Sequence, residues 1–213
     1  MAEINYIGIE GAIGAGKTSL AKILAEKMDA RLVLEETEGN PFLSDFYKDR
    51  RRYAFQTQLF FLLLRHKQQQ ELFATDLFHK KVVSDYCFDK ERIFASVTLD
   101  QREYYLYEKL LTLLEKDIPR PDLVIYLQAS SEVLLKRIKK IGRPYEKNMD
   151  LDYIKALNEA YNHYFFHYTK TPLLVINTDK IDLVHSESDL IDLLALLKMS
   201  FSGTKYYVPM GGS

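Results

Sequence analysis

Eight residues near the start of the chain, Gly11-Ala12-Ile13-Gly14-Ala15-Gly16-Lys17-Thr18, form a complete G-x-x-x-x-G-K-[ST] loop. Before it, Ile4 to Ile9 reads as a short buried strand; after it, Leu20, Ile23, Leu24 and Lys27 recur at the three-to-four spacing of one helix face. A strand, a glycine loop and a helix in that order gather backbone N–H groups and the positive end of a helix dipole around one point, which suits a polyanion. At this spacing Lys17 reaches the β- and γ-phosphates of a nucleotide, and the Thr18 hydroxyl, with Ser19 next to it, is placed to ligate Mg²⁺. The flanking elements separate this reading from a glycine-rich turn that matches by chance.

The rest of the chain alternates in the same way. Apolar β-type runs recur at Arg31 to Leu34, Val82 to Val83, Leu123 to Leu127 and Leu173 to Ile176, with helical patterns at about Tyr53 to Phe78, Asp100 to Lys116 and Leu151 to Tyr168. Alternation of this kind predicts an α/β fold, a parallel sheet covered by helices on both faces. Pro119 and Pro121 break the chain before the fourth strand, and Ser186-Glu187-Ser188-Asp189 reads as a cap opening a last helix, Leu190 to Lys198. A chain of 213 residues, 47 % hydrophobic, is long enough for one substantial core. One domain over 1–200 is expected, followed by a tail at 201–213 in which Tyr206, Tyr207, Val208 and Pro209 either dock or fray.

Charge and cysteine usage narrow the partners. Lys and Arg (29) balance Asp and Glu (30), so the net charge of −1 gives no general attraction to a nucleic-acid polymer or an acidic membrane. The longest apolar run, Leu59 to Leu64, is far below the roughly 18 residues of a spanning helix. The lone Cys87 excludes an intramolecular disulfide and reads as a buried structural thiol, and the N-terminus carries no basic-then-apolar leader. A soluble, cytoplasmic protein is expected.

In open parallel sheets, ligands lie beyond the carboxyl ends of the strands. Strand two delivers Glu35 and Glu36 there, and strand three delivers Asp85. A carboxylate beside the γ-phosphate can take the proton of an attacking hydroxyl, and one after strand three can hold Mg²⁺ directly or through water. A solvated acidic turn over Glu35, Glu36 and Glu38 is the plainer alternative. Lys136, Arg137, Lys139, Lys140, Arg143 and Lys147 form a basic cluster broken at Gly142-Arg143-Pro144, either a lid closing over phosphates or an exposed helix face. His163 and His167 lack the Glu of H-E-x-x-H and read as packing or surface residues. Arg50-Arg51-Arg52 reads as a solvated helix start, and the stripe Phe55, Leu59, Phe60, Leu63 and Leu64 as core or dimer seam.

Together these positions resemble the deoxynucleoside kinase family, closest to bacterial deoxyadenosine, deoxyguanosine and deoxycytidine kinases. The carrying motifs are the P-loop, Glu35-Glu36 followed by Asn40-Pro41-Phe42-Leu43, Tyr47, Phe55-Gln56-Thr57, Asp85, Ile93-Phe94-Ala95, and Arg137 through Arg143 to Glu146. The resemblance implies a P-loop NTPase-type three-layer fold with a five-stranded parallel sheet, order 2-3-1-4-5, and a lid over about 137–148. It implies Glu36 as general base, with Glu35 less favoured, and γ-phosphoryl transfer from ATP with Mg²⁺ held by Thr18 and Asp85. Gln56 would then read the base edge, with Phe94 and Phe55 packed on its faces and Tyr47 and Glu146 on the sugar. Arg137 and Arg143 would contact donor phosphates, Asp179 would border adenine, and a homodimer would form through helices.

Three departures stand out from the family pattern. Tyr86 occupies the position of an arginine in Asp85-Tyr86-Cys87, Ile141 that of a basic lid residue, and Leu63 that of a base-reading arginine in some relatives. The reading is an ATP-dependent kinase making a deoxynucleoside 5′-monophosphate in salvage, with deoxyadenosine or deoxyguanosine first. The alternatives are a nucleoside monophosphate kinase resembling thymidylate kinase, and a catalytically reduced nucleotide-binding subunit.

Overall fold

The computed structural model describes residues 4–37, 39–72, 80–143, 146, 149–179, 181, 183, 186–199 and 202–207. Six parallel strands form one sheet, in the order β2-β3-β1-β4-β5-β6. They are β1 (Tyr6–Glu10), β2 (Arg31–Val33), β3 (Val82–Ser84), β4 (Leu123–Gln128), β5 (Leu173–Asn177) and β6 (Thr204–Tyr207). The helices are α1 (Lys17–Met28), α2 (Leu43–Lys48), α3 (Arg50–Gln70), α4 (Lys90–Thr98), α5 (Gln101–Leu114), α6 (Ser131–Ile141), α7 (Leu151–Phe166) and α8 (Glu187–Leu197). β1 is buried along its whole length and pairs with both β3 and β4, so it reads as an unbroken apolar run apart from Glu10.

The expected sheet therefore gains a strand. Thr204–Tyr207, assigned to the tail from sequence, pairs in parallel with β5, from Leu173 opposite Thr204 to Ile176 opposite Tyr207. Tyr207 is buried and its hydroxyl donates to the Asp189 carbonyl at 3.2 Å, so this part of the tail docks, while Val208 and Pro209 lie outside the described residues. α3 begins three residues earlier than its pattern suggests, at Arg50, capped by Asp49, and ends at Gln70, where Glu71 caps it and Leu72 bends away; the rest of the expected extension, 73–78, lies outside the described residues. α8 opens as its cap predicts, with the Ser186 hydroxyl accepting from Asp189 N at 3.3 Å.

The main core fills the space between the central strands and the helices with Leu24, Leu134, Leu157 and Leu193. A second cluster, Leu62, Phe88, Ala95, Tyr107 and Leu111, joins α3, α4 and α5. Phe55 and Leu59 pack against it, so this part of the apolar stripe is core, while Leu63 faces solvent at 55 % exposure. No described helix is long and apolar enough to cross a membrane.

Candidate active site

The carboxyl ends of β1, β2 and β3 open on one cavity of about 670 Å³. β1 runs into the glycine loop, whose backbone takes positive φ at three points, Gly11 (153°), Gly14 (84°) and Gly16 (100°). At the first two, a Cβ would also meet Leu127 O at 2.6 Å and Leu134 O at 2.9 Å. The loop is thus moulded against β4 and α6. Ile13, Gly14, Gly16, Lys17, Thr18 and Ser19 face the cavity, while Gly11, Ala12 and Ala15 are buried behind them. Lys17 Nζ donates to the carbonyls of Gly11 (2.8 Å) and Ala12 (3.2 Å). Burial, the Lys90 ammonium opposing and Glu10, Glu35 and Asp85 supporting, leaves the Lys17 ammonium lowered to about 8.

Thr18 Oγ1 donates to Asp85 Oδ2 at 2.6 Å, and Asp85 Oδ1 accepts from Glu35 N at 2.7 Å. A hydroxyl and a carboxylate side by side at the mouth of the loop are the hard oxygen donors that Mg²⁺ prefers. Among the described residues no cluster of three His, Cys, Asp or Glu side chains forms a metal cage, so phosphate oxygens and water would complete such a shell.

Of the two adjacent glutamates, the structure turns Glu35 into the cluster and leaves Glu36 exposed at the cavity edge. Glu35 is ion-paired to Arg65 through Oε1 and to Lys90 through Oε2 at 2.6 Å. Burial pushes its carboxyl up, but Lys90, Arg65 and Lys17 overcome this and hold it well below the usual carboxylate range. Arg65 is fixed on its far side by Glu91, which in turn accepts from the Tyr107 hydroxyl at 2.6 Å. Glu36 is the favoured base from sequence, but it is Glu35 that the structure places in the cluster: Asp85 pins its backbone, and two buried cations hold its carboxylate.

The acceptor side also differs from the expected placement. Gln56 is exposed and Phe55 packs in the α3–α4–α5 core; neither lines the cavity. Gln58, 2 % exposed, Phe61 and Arg65 line it instead, three and four residues apart on one face of α3. Gln58 Oε1 is buried without a hydrogen-bond partner among the described residues. Where Leu63 brings no cation, Arg65, two residues further along and seven after Gln58, places a guanidinium in the cavity. Tyr47, Phe94 and Glu146 line the cavity as expected, joined by Tyr153, which the sequence did not single out.

Tyr86 is fully buried and turned away, its hydroxyl donating to Gln68 Oε1 at 2.7 Å behind the sheet edge, and it does not line the cavity. In the segment expected to form a lid, Arg143 and Glu146 reach the cavity and pair with one another at 3.2 Å. Burial raises the Glu146 carboxyl, with Arg143 opposing. Arg137 points elsewhere: it donates to Thr178 Oγ1 at 3.0 Å and Thr178 O at 2.7 Å, at the end of β5. Beside it Asp179 accepts from Ser130 N at 2.8 Å, so Arg137 and Asp179 frame a separate corner beyond β4 and β5. Lys147 lies outside the described residues. His163 and His167 are exposed, their rings tilted against one another at 4.7 Å, with no third ligand among the described residues. Arg50 is more than a solvated helix start: it lies 4.2 Å over the Tyr153 ring and pairs with Asp150 at 2.9 Å.

The family model for deoxynucleoside kinase matches residues 7–200. The chain belongs to the deoxynucleoside kinase family. It is similar to a deoxyguanosine kinase of Bacillus subtilis, 37 % identical over 200 residues that cover 91 % of this chain and 96 % of the relative. A deoxyadenosine kinase of Lactobacillus acidophilus is 35 % identical over 195 residues, covering 85 % and 89 %. Among solved structures, deoxyadenosine kinase of M. mycoides with bound dATP superposes with a TM-score of 0.76 at 26 % identity, over 90 % of this chain and 97 % of that one. The family expected from the motifs is thereby established, and this deoxynucleoside kinase carries a sixth strand in the parallel sheet that the fold prediction drew with five.

Proposed function

We propose that the chain transfers the γ-phosphoryl group of ATP to the 5′-hydroxyl of a purine deoxynucleoside, deoxyadenosine or deoxyguanosine, giving the 5′-monophosphate. The observation that carries this reading is Glu35, a carboxylate held by Arg65 and Lys90 in the same cavity as the phosphate loop. Beyond it lies an aromatic and amide pocket of Phe61, Phe94 and Gln58, sized for a nucleoside. Lys17 and the loop N–H groups grip the donor, and Arg143 closes on it from the lid. Gln58 supplies the unpaired amide oxygen for the base edge, and Tyr47 and Glu146 hold the sugar.

Glu35 accepts the 5′-hydroxyl proton as the oxygen attacks phosphorus; the new O–P bond forms, and the bond to the β-phosphate breaks with its electron pair leaving on ADP. A strongly acidic carboxylic acid is a weak base, so its contribution is orientation of the hydroxyl more than early proton removal. Thr18 and Asp85 would hold Mg²⁺, which supplies neutralisation of the phosphate charge when bound. Pairing into a homodimer through α3 and α5 is part of the reading, supported by Leu63, Tyr105, Leu106 and Leu113, which are more than half exposed.

The test is a panel of nucleosides and nucleoside monophosphates with labelled ATP and Mg²⁺. A deoxynucleoside monophosphate product is expected. A preference for phosphorylated acceptors would instead make it a monophosphate kinase. Glu35→Gln should lower kcat by about 10²–10⁴-fold with ATP binding little changed, while Glu36→Gln stays within about threefold; the reverse ranking would reject Glu35 as the base.

A further inference from the structure

The two cations on Glu35 are built differently. Arg65 is tied at both ends, to Glu35 and to Glu91, and Tyr107 holds Glu91 in turn. Lys90 is 4 % exposed, yet among the described residues its ammonium is ion-paired with Glu35 alone, at 2.6 Å. An ammonium has three N–H donors, so two are left to other partners. Lys90 lines the cavity together with Lys17 and Thr18, and its ammonium lies 5.2 Å from the Phe94 ring centroid.

The turn that carries Lys90 is anchored from outside. On one side of it Asp89 accepts from Lys170 at 2.7 Å and from Tyr164; on the other, Arg92 pairs with Glu108 at 2.8 Å and Glu115 at 3.2 Å. The first turn of α4 is therefore held while its lysine faces inward. The three residues that follow β3 directly, Asp85-Tyr86-Cys87, send no cation into the cavity, and Tyr86 and Cys87 are buried outside its lining.

We propose that Lys90 is a catalytic residue that bridges Glu35 and the transferring phosphoryl group, taking the place that the Asp85-Tyr86-Cys87 segment leaves without a cation. The proposal rests on Glu35 being the base. While Glu35 is a carboxylate, Lys90 pairs with it. As the 5′-oxygen forms its bond to phosphorus and its proton passes to Glu35, the carboxyl becomes neutral and its hold on the ammonium weakens. Lys90 keeps its own protons and directs an N–H to a γ-phosphoryl oxygen, where negative charge gathers as the bond to the β-phosphate breaks.

Full-length wild type, Lys90→Met, Lys90→Gln, Lys90→Arg, Glu35→Gln and the Glu35→Gln/Lys90→Met double variant are compared with Mg-ATP and the acceptor preferred by wild type. Lys90→Met and Lys90→Gln should each lose about 10²–10³-fold in kcat, with KM for ATP and acceptor within about threefold. Lys90→Arg should recover at least about tenfold over Lys90→Met, because the charge returns. The double variant should fall little below Glu35→Gln, as groups that act as a unit do. Turnover of Lys90→Met or Lys90→Gln within about threefold of wild type overturns the proposal, as does a loss confined to KM or no recovery in Lys90→Arg. A crippled Glu35→Gln beside an active Lys90→Met removes Lys90 alone and leaves the kinase reading standing. A fully active Glu35→Gln removes the base itself.

Discussion

At the end of β1, Glu10 is completely enclosed and accepts from Cys87 N at 2.6 Å, Gly11 N at 3.2 Å and the Tyr161 hydroxyl at 3.2 Å. Burial raises its carboxyl to about 7, against the pull of Lys90, Lys17 and the backbone N–H groups. Between its ordinary value near 4.5 and 7, the folded chain binds more protons at this site than the unfolded chain. Stability from this group is thus full below the lower value and lost as pH rises through the upper one. Glu10→Gln exchanges these contacts for a pH-independent offset, so the wild type should lose stability relative to the variant across pH 4.5–7, at up to about 1.4 kcal/mol per pH unit. Urea unfolding at several pH values measures it, and a constant difference between the two proteins would reject the raised carboxyl. Lys17, Thr18, Asp85, Tyr47, Phe94 and Glu146 line the cavity where the sequence placed them, while two other positions were legible only to within a residue or two. Glu35 and Glu36 are chemically identical in the sequence, and only the Asp85 contact to the Glu35 backbone decides between them. Gln56 and Gln58 differ by one change of helix face, which the spacing to Phe61 and Arg65 encodes but the Phe-Gln pair hides.

Elements with a strong period were readable, and short ones were not. β1, β4 and β5 are continuous apolar runs, and α5 and α7 begin within a residue of the predicted starts. α2, of six residues, and α4, of nine, are too short to repeat a pattern. α2 takes its position from Asn40, whose side chain donates to the Thr57 carbonyl on α3 at 3.1 Å and accepts from Phe42 N at 3.0 Å. β6 alternates poorly because only one edge of it meets the sheet. Of the described glycines, Gly8 in β1 has the least room: a Cβ there would overlap Cys87 Sγ and sit 3.6 Å from Pro121. The thiol, buried and with its pKa raised by burial, is a packing group fitted to that glycine. Gly8→Ala should cost on the order of 1–3 kcal/mol from overpacking. In a double-mutant cycle Cys87→Ala should return part of that loss, and strictly additive effects would show that the overlap is relieved elsewhere.

For the molecule as a whole, α3 and α5 together expose Leu63, Tyr105, Leu106 and Leu113, with Leu106 at 53 % and Leu113 at 61 % exposure one heptad apart on the same face of α5. If this face pairs two copies, wild type should scatter light as about twice 24.9 kDa at micromolar concentration, and Leu106→Glu should return it to the single-chain mass with the fold intact. A wild type at the single-chain mass would reject the pairing. Composition and alternation disclosed the parallel architecture but not its width, since the last strand lies beyond the point where the core pattern ends.

The strand order has a consequence for synthesis. β1 precedes both of its neighbours in chain order yet lies between them in the sheet: Tyr6 must wait for Val82 on one side, and Ile7 for Leu123 on the other. A ribosome must therefore deliver the chain past Leu123 before this segment has both neighbours. Until then its apolar side chains and unpaired amides are open to capture by other nascent chains. Slow closure through distant pairings is the kinetic cost of seating a phosphate loop at the centre of the sheet.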